Sequence, residues 1–212
     1  MAIQGPTLIN GVSRNNQFSA SWAPSVLVPA GAMAWVIGGT NLADTETAGV
    51  TDSAGNEWIN QAFVQPPGIP GTILVAYSMV TAEIPTSGTI TILGSQRANW
   101  DLNGYFHTGA GGNIFSTDVR FVDTSTNPTA TVVARPGMTL FGTIGVGGPS
   151  ADGFTNDPLF LEDQKGNIAR TNVTIHASGR AVPSNADDMQ LYSYAPTLGT
   201  ARRSLIFLAA FQ

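Results

Sequence analysis

Glycine and proline punctuate this chain so often that few stretches can carry a helix. Its 212 residues include 24 Gly and 13 Pro, which cost a helix interior about 1 and about 3 kcal/mol each. Between them the apolar residues fall in short runs, and several alternate at period two. Ile73, Val75 and Tyr77 oppose Leu74, Ala76 and Ser78. The runs predict strands at 18–22, 33–38, 57–63, 72–79, 89–93, 118–122, 129–135, 139–146, 158–161, 172–176, 189–194 and 204–211. Many short strands between turn formers make an all-β fold, an antiparallel β-sandwich of jelly-roll-like type. Only the run 184–195 escapes Gly and Pro while carrying a cap-like Ser-x-x-Asp, at Ser184 and Asp187. At most a helical turn is expected there.

Two turns share a chemistry. Residues 52–56 and 163–167 both read Asp-x-x-Gly-Asn between predicted strands. The Asp side chain can accept hydrogen bonds from the following amides, and the Gly can take the left-handed conformation that closes a bulged type I turn. The same turns anchor a faint internal repeat over 29–95 and 136–211. Each half starts at a proline (Pro29, Pro136), passes one of these turns, reaches a Tyr-Ser strand (Tyr77-Ser78, Tyr192-Ser193) and ends in an apolar strand. Two such halves either pack into one sandwich or form two small jelly rolls. One sandwich over 21–212 is expected, because 96–115 does not read as a free linker and Trp100, Tyr105 and Phe106 need burial. Residues 1–20, uncharged but for Arg14, are expected to form an N-terminal arm that orders against a neighbouring subunit.

Charge narrows the partners. Charged residues are 11% of the chain, under half the roughly 25% usual for soluble domains. The net charge is −5, and Lys165 is the single lysine. An acidic chain without a basic cluster has no footprint for nucleic acid, Arg202-Arg203 being too small to matter. The uncharged stretches between Arg14 and Asp44 and between Glu57 and Glu83 are too broken by Pro, Gly and polar residues to insert in a membrane. Cys is absent, which excludes disulfides, thiolate zinc and thiol nucleophiles. The first residues show neither the basic segment nor the apolar run of a signal peptide, so synthesis in a cytosol without export by that route is expected.

Catalytic groups are sparse. His107 lies in Tyr105-Phe106-His107-Thr108 beside the glycines of 109–112, and His176 lies in an alternating strand. Neither belongs to a nucleophile elbow, a zinc-binding His-Glu-x-x-His, a P-loop or a dinucleotide fingerprint. No catalytic residue, cofactor or metal is therefore assigned, and the chain is expected not to be an enzyme. A glycan hydrolase would need two facing carboxylates, for which Glu57 and Glu83 are the acids to check. Asp152, Asn156, Asp157 and Asp187-Asp188 crowd loops where Ca²⁺ could sit, but turn initiation explains them better. Carbohydrate binding needs an exposed aromatic flanked by hydrogen bonders, and Trp100, Asn103 and Tyr105 supply one set. The competing reading is an ordinary strand with a buried Trp. Asn172-Val173-Thr174 matches a glycosylation sequon, which without secretion signifies only a strand.

The train Val50-Thr51-Asp52-Ser53-x-Gly55-Asn56-x-Trp58, the Gly-Thr-Ile-Thr-Ile strand at 88–92 and the terminal Ala-Ala-Phe at 209–211 resemble the jelly-roll or concanavalin-like β-sandwich proteins of tailed bacteriophages and some bacterial surfaces. The resemblance implies a virion component of minor tail or capsid (head) decoration type, often oligomeric and sometimes glycan-binding. The expectation is a non-enzymatic structural protein of a phage particle. Its partners would be other virion proteins and copies of itself. The alternative is a carbohydrate-binding module that attaches to host-surface glycan.

Overall fold

The computed structural model describes residues 6–40, 47–64, 72–109, 111–147, 153–168, 173–185 and 188–212. The chain is all-β, with no helix among the described residues. It divides into two compact units, one built on Leu8–Thr108 and the other on Gly109–Asn167 with Asn172–Gln212. A single sandwich was the expectation from the sequence. The boundary falls in the glycine-rich segment after His107, where Gly109 and Gly112 take φ of 81° and 87°.

The N-terminal unit contains β1 (Thr7–Trp22), β2 (Met33–Thr40), β3 (Thr47–Asp52), β4 (Ile59–Val64), β5 (Thr72–Met79) and β6 (Ile90–His107). Its sheet runs β1-β6-β2-β5-β4, and β3 also pairs with β6. Besides pairing with β1, β6 meets two further strands in turn: Ile90 to Gly94 lie against β3, and Trp100 to His107 lie against β2. The even-numbered side chains of both halves, Ile90, Ile92, Ala98, Trp100, Leu102 and Phe106, meet in one core with Val50, Ala34, Val36, Leu74 and Ala76. One face of one sheet can do this only if the sheet curls over itself.

The expected N-terminal arm is a sheet strand over its described part. In β1, Ile9 and Val12 enter the core while Asn10 and Gly11 between them are exposed. The ribbon doubles back near Asn16, the described non-glycine residue with positive φ (52°). Ser25 N donates to Ile9 O at 2.7 Å, and Asn10 Nδ2 donates to Ala23 O at 3.0 Å.

The C-terminal unit contains β7 (Ile114–Ser125), β8 (Ala130–Ala134), β9 (Thr139–Gly147), β10 (Phe154–Thr155), β11 (Leu161–Ile168), β12 (Val173–Ala181), β13 (Gln190–Tyr194), β14 (Thr197–Leu198) and β15 (Arg202–Phe211). Its main sheet runs β7-β15-β9-β12-β11, with the pairs β8–β13 and β10–β14 beside it. Leu140, Ile144, Ile206, Leu208 and Ala210 of the main sheet share a core with Val132, Tyr192 and Tyr194 of the β8–β13 ribbon. This is a two-layer sandwich, and β7-β15-β9-β12 opposite β8–β13 is a jelly-roll order. Where a helical turn was the most expected, Ser184 and Asn185 form a turn and β13 follows.

The two units repeat one topology. β1, β6, β2, β5 and β4 occupy the same order as β7, β15, β9, β12 and β11. The Val28↔Ile84 bridge stands where β8 pairs with β13. The entry turns match atom for atom: Gly31 N donates to Val80 O and Val80 N to Ala32 O, while Gly137 N donates to Val182 O and Val182 N to Met138 O. Gly31 and Gly137, at φ of 82° and 79°, are the equivalent residues. Pro29 and Pro136 are therefore one position out of register.

The Asp52 turn forms as its residues dictate. Asp52 Oδ1 accepts from Ala54 N at 2.8 Å and Oδ2 accepts from Trp58 Nε1 at 2.6 Å, with Gly55 at φ 78°. Asn56, buried, ties this turn to the next one, accepting from Thr81 N and Ala82 N and donating to Ala82 O. Its counterpart at 163–167 is no interstrand turn but lies within β11.

Candidate functional site

The sugar-binding set predicted from sequence lies inside the protein. Trp100 is 1% exposed, belongs to the N-terminal core and donates Nε1–H to Gln17 O at 2.9 Å. Asn103 and Tyr105 lie on the opposite face of β6, at 2% and 0% exposure, across from Ile37 and Trp35. Strand alternation separates Trp100 from the other two, and burial leaves none of them a surface on which a sugar could stack.

On that second face β6 carries a polar stripe: Asp101, Asn103, Tyr105 and His107, all buried. The equivalent positions of β15, fixed by pairing with β9 as β6 pairs with β2, are Leu205, Phe207, Ala209 and Phe211. One repeat thus buries four polar side chains where the other buries four apolar ones. Asp101 Oδ1 and Asn103 Nδ2 have no hydrogen-bond partner among the described residues, which costs about 1–3 kcal/mol for an amide such as that of Asn103. Burial pushes the His107 imidazole down from 6.5 to about 3, so it is neutral at physiological pH. Asp101 and His107 are separated along an extended strand by roughly 20 Å. They cannot work as a proton-transfer couple.

The remaining candidates are engaged in structure. His176 is buried and stacked on Phe154, ring centroids 3.5 Å apart. Asn156 Oδ1 accepts from Ser178 Oγ at 2.9 Å and Tyr194 OH at 3.3 Å. Asp157 accepts from Leu159 N at 2.9 Å and Ala195 N at 2.8 Å, which pins the loop before β11 to the end of β13. Asp152, Asp187 and Asn172 of the sequon lie outside the described residues, and Asp188 is exposed. Among the described residues no three His, Asp or Glu gather as a metal site. Glu57 and Glu83 are both exposed.

Two surface features escaped the sequence reading. The first is an apolar patch on the C-terminal unit. Val133 and Leu191 face each other across the β8–β13 ribbon at 37% and 71% exposure, with Met189 preceding β13 at 52%. Ser116 Oγ donates to Val133 O, and the neighbouring Phe115, 37% exposed, has its ring 4.8 Å from the Arg135 guanidinium. Period-two alternation could have shown this, because Tyr192 and Tyr194 point inward and so put Leu191 outside.

The second is the bend of β1 near Asn16. Arg14, Asn15, Asn16, Gln17 and Phe18 are consecutive and exposed. Asn16 N–H donates to Asn99 Oδ1 at 3.0 Å, and Arg97 Nη1 donates to Asn16 O at 3.1 Å. With the Trp100 bond to Gln17 O, three side chains of β6 hold the turn. The Arg97 guanidinium lies 4.9 Å from the Phe18 ring centroid. Phe18 has the same parity as the buried Ala20 and Trp22, yet it is 51% exposed.

No protein-family model, curated protein or solved structure matches the chain.

Proposed function

We propose that the chain is a non-enzymatic structural component of a bacteriophage particle, of minor tail or capsid-decoration type, acting through contacts with copies of itself and with other particle proteins. The observation that carries this reading is the Val133–Leu191–Met189–Phe115 patch on a chain with only 11% charged residues. Exposed, contiguous apolar side chains rimmed by few charges mark surfaces that another protein covers. The repeated jelly-roll topology supports the same reading, since rigid sandwiches present such patches at fixed positions. The phage assignment itself rests on the sequence resemblance around Asp52, Gly88 and Ala209.

Quantitative mass spectrometry of purified particles tests the proposal. The chain is expected at a fixed copy number per particle, and its absence from the particle overturns the reading.

A further inference from the structure

The bend of β1 near Asn16 differs chemically from the rest of this acidic protein. Two of the nine cationic residues, Arg14 and Arg97, stand at it or pack against it, among the amides of Asn15, Asn16, Gln17 and Asn99. Arg97 is held from two sides, by its hydrogen bond to Asn16 O and by its position over Phe18. The aromatic ring is therefore fixed on one side by a cation, while half of its surface stays open.

Three properties converge there. An open aromatic face packs against the C–H face of a pyranose. A guanidinium presents a planar fork that matches a carboxylate or phosphate. Side-chain amides donate to and accept from sugar hydroxyls. The turn is also held before any ligand arrives, by Asn99, Arg97 and Trp100, which lowers the ordering cost of binding. We propose that residues 14–18 with Arg97 and Asn99 bind an acidic saccharide, its ring on Phe18 and its anionic group on Arg97 and Arg14. Single-stranded nucleic acid also uses stacking and cations, but it needs a positive groove that tracks several phosphates. Two arginines on a chain of net charge −5 do not provide one. The inference stands apart from the particle assignment and involves none of its patch residues.

Isothermal titration of the full chain tests it with four probes: hexagalacturonate for the carboxylate form, pentamannosyl phosphate for the phosphate form, neutral maltohexaose, and a short oligothymidylate. At least one acidic sugar is expected to bind, and maltohexaose at least tenfold more weakly. Phe18→Ala and Arg97→Gln should each weaken the acidic sugar tenfold or more, about 1.4 kcal/mol, while Phe18→Trp retains binding. Thermal melting of each variant checks that the fold survives, and Arg97→Gln keeps the test open if Phe18→Ala does not fold. The proposal is overturned if neither acidic sugar binds, if Arg97→Gln binds as the parent does, or if oligothymidylate binds as tightly as the sugars. Particle mass spectrometry reads none of these outcomes, so failure here leaves the particle assignment standing.

Discussion

Acid should destabilise the N-terminal unit through one residue, His107. Its imidazole is 1% exposed at the end of β6, and burial lowers its pKa from 6.5 to about 3. Below pH 6.5 the unfolded chain takes up a proton that the folded chain refuses, so the unfolded state gains. The contribution is complete above pH 6.5, falls as the pH drops towards 3, and then levels off. At about 1.4 kcal/mol per pH unit the whole range amounts to roughly 5 kcal/mol, and the step from pH 7.5 to pH 4.5 to roughly 3 kcal/mol. His107→Phe installs the residue type that Phe211 supplies at the equivalent place in β15, and His107→Gln keeps a polar group without the titration. Trp22, Trp35, Trp58 and Trp100 all lie in the N-terminal unit. Tryptophan fluorescence during urea unfolding therefore reports this unit. Carboxylates titrate in parent and variants alike and cancel in the comparison. The parent is expected to lose about 3 kcal/mol more than either variant between the two pH values; equal losses would refute the argument.

Other perturbations follow from named contacts. Asn56→Ala removes five hydrogen bonds of one buried side chain, four to Thr81 and Ala82 and one to Asp52, and should cost about 2–4 kcal/mol by urea unfolding; a change under roughly 1 kcal/mol would show the turns to be held otherwise. Gly142→Ala drives a Cβ to within 2.7 Å of the Tyr194 ring, and calorimetry should show a loss of about 1–3 kcal/mol from overpacking. Trp100→Ala should destabilise by about 3–5 kcal/mol in the same fluorescence assay, in keeping with a core role and not a sugar platform. Leu191→Asp should leave the melting temperature nearly unchanged but reduce self-association in light scattering. An unaltered mass distribution would detach the apolar patch from assembly.

Much of the fold was legible in the sequence because alternation is local. β5 spans the predicted 72–79 without a shift, and the Asp52 turn forms from its own five residues. Pro29 and Pro136, which open the two halves of the repeat proposed from sequence, stand one residue out of register. The left-handed Gly31 and Gly137 set the true alignment, and φ is not written in a residue letter. What stayed hidden depends on partners distant in sequence. β6 runs through the polar stretch Ser95-Gln96-Arg97 because β3 and β2 take its two ends in turn. β1 was obscured because its first buried residues, Ile9 and Val12, are spaced three apart and break the alternation. Phe18 has inward parity but lies beyond the core that covers Ala20 and Trp22. The Trp100-to-Tyr105 segment has the composition of a sugar site, and only the sheet reveals that its residues split between two buried faces.

The contrast between the stripes of β6 and β15 bears on how the chain reaches its native state. Tandem repeats of one topology risk strand exchange, in which a strand settles in the twin slot of the other half. Backbone pairing alone hardly discriminates, since β6 and β15 receive equivalent registers from β2 and β9. The side chains discriminate. In the slot of β15, β6 would set Asp101, Asn103 and His107 opposite Gly145, Thr143 and Thr139 in place of Leu205, Phe207 and Phe211. Each misplaced polar group would forfeit its native surroundings, and each vacated aromatic position would leave a void. The stripe acts as an address label, and its price in native stability is the cost of keeping two look-alike halves from trading strands.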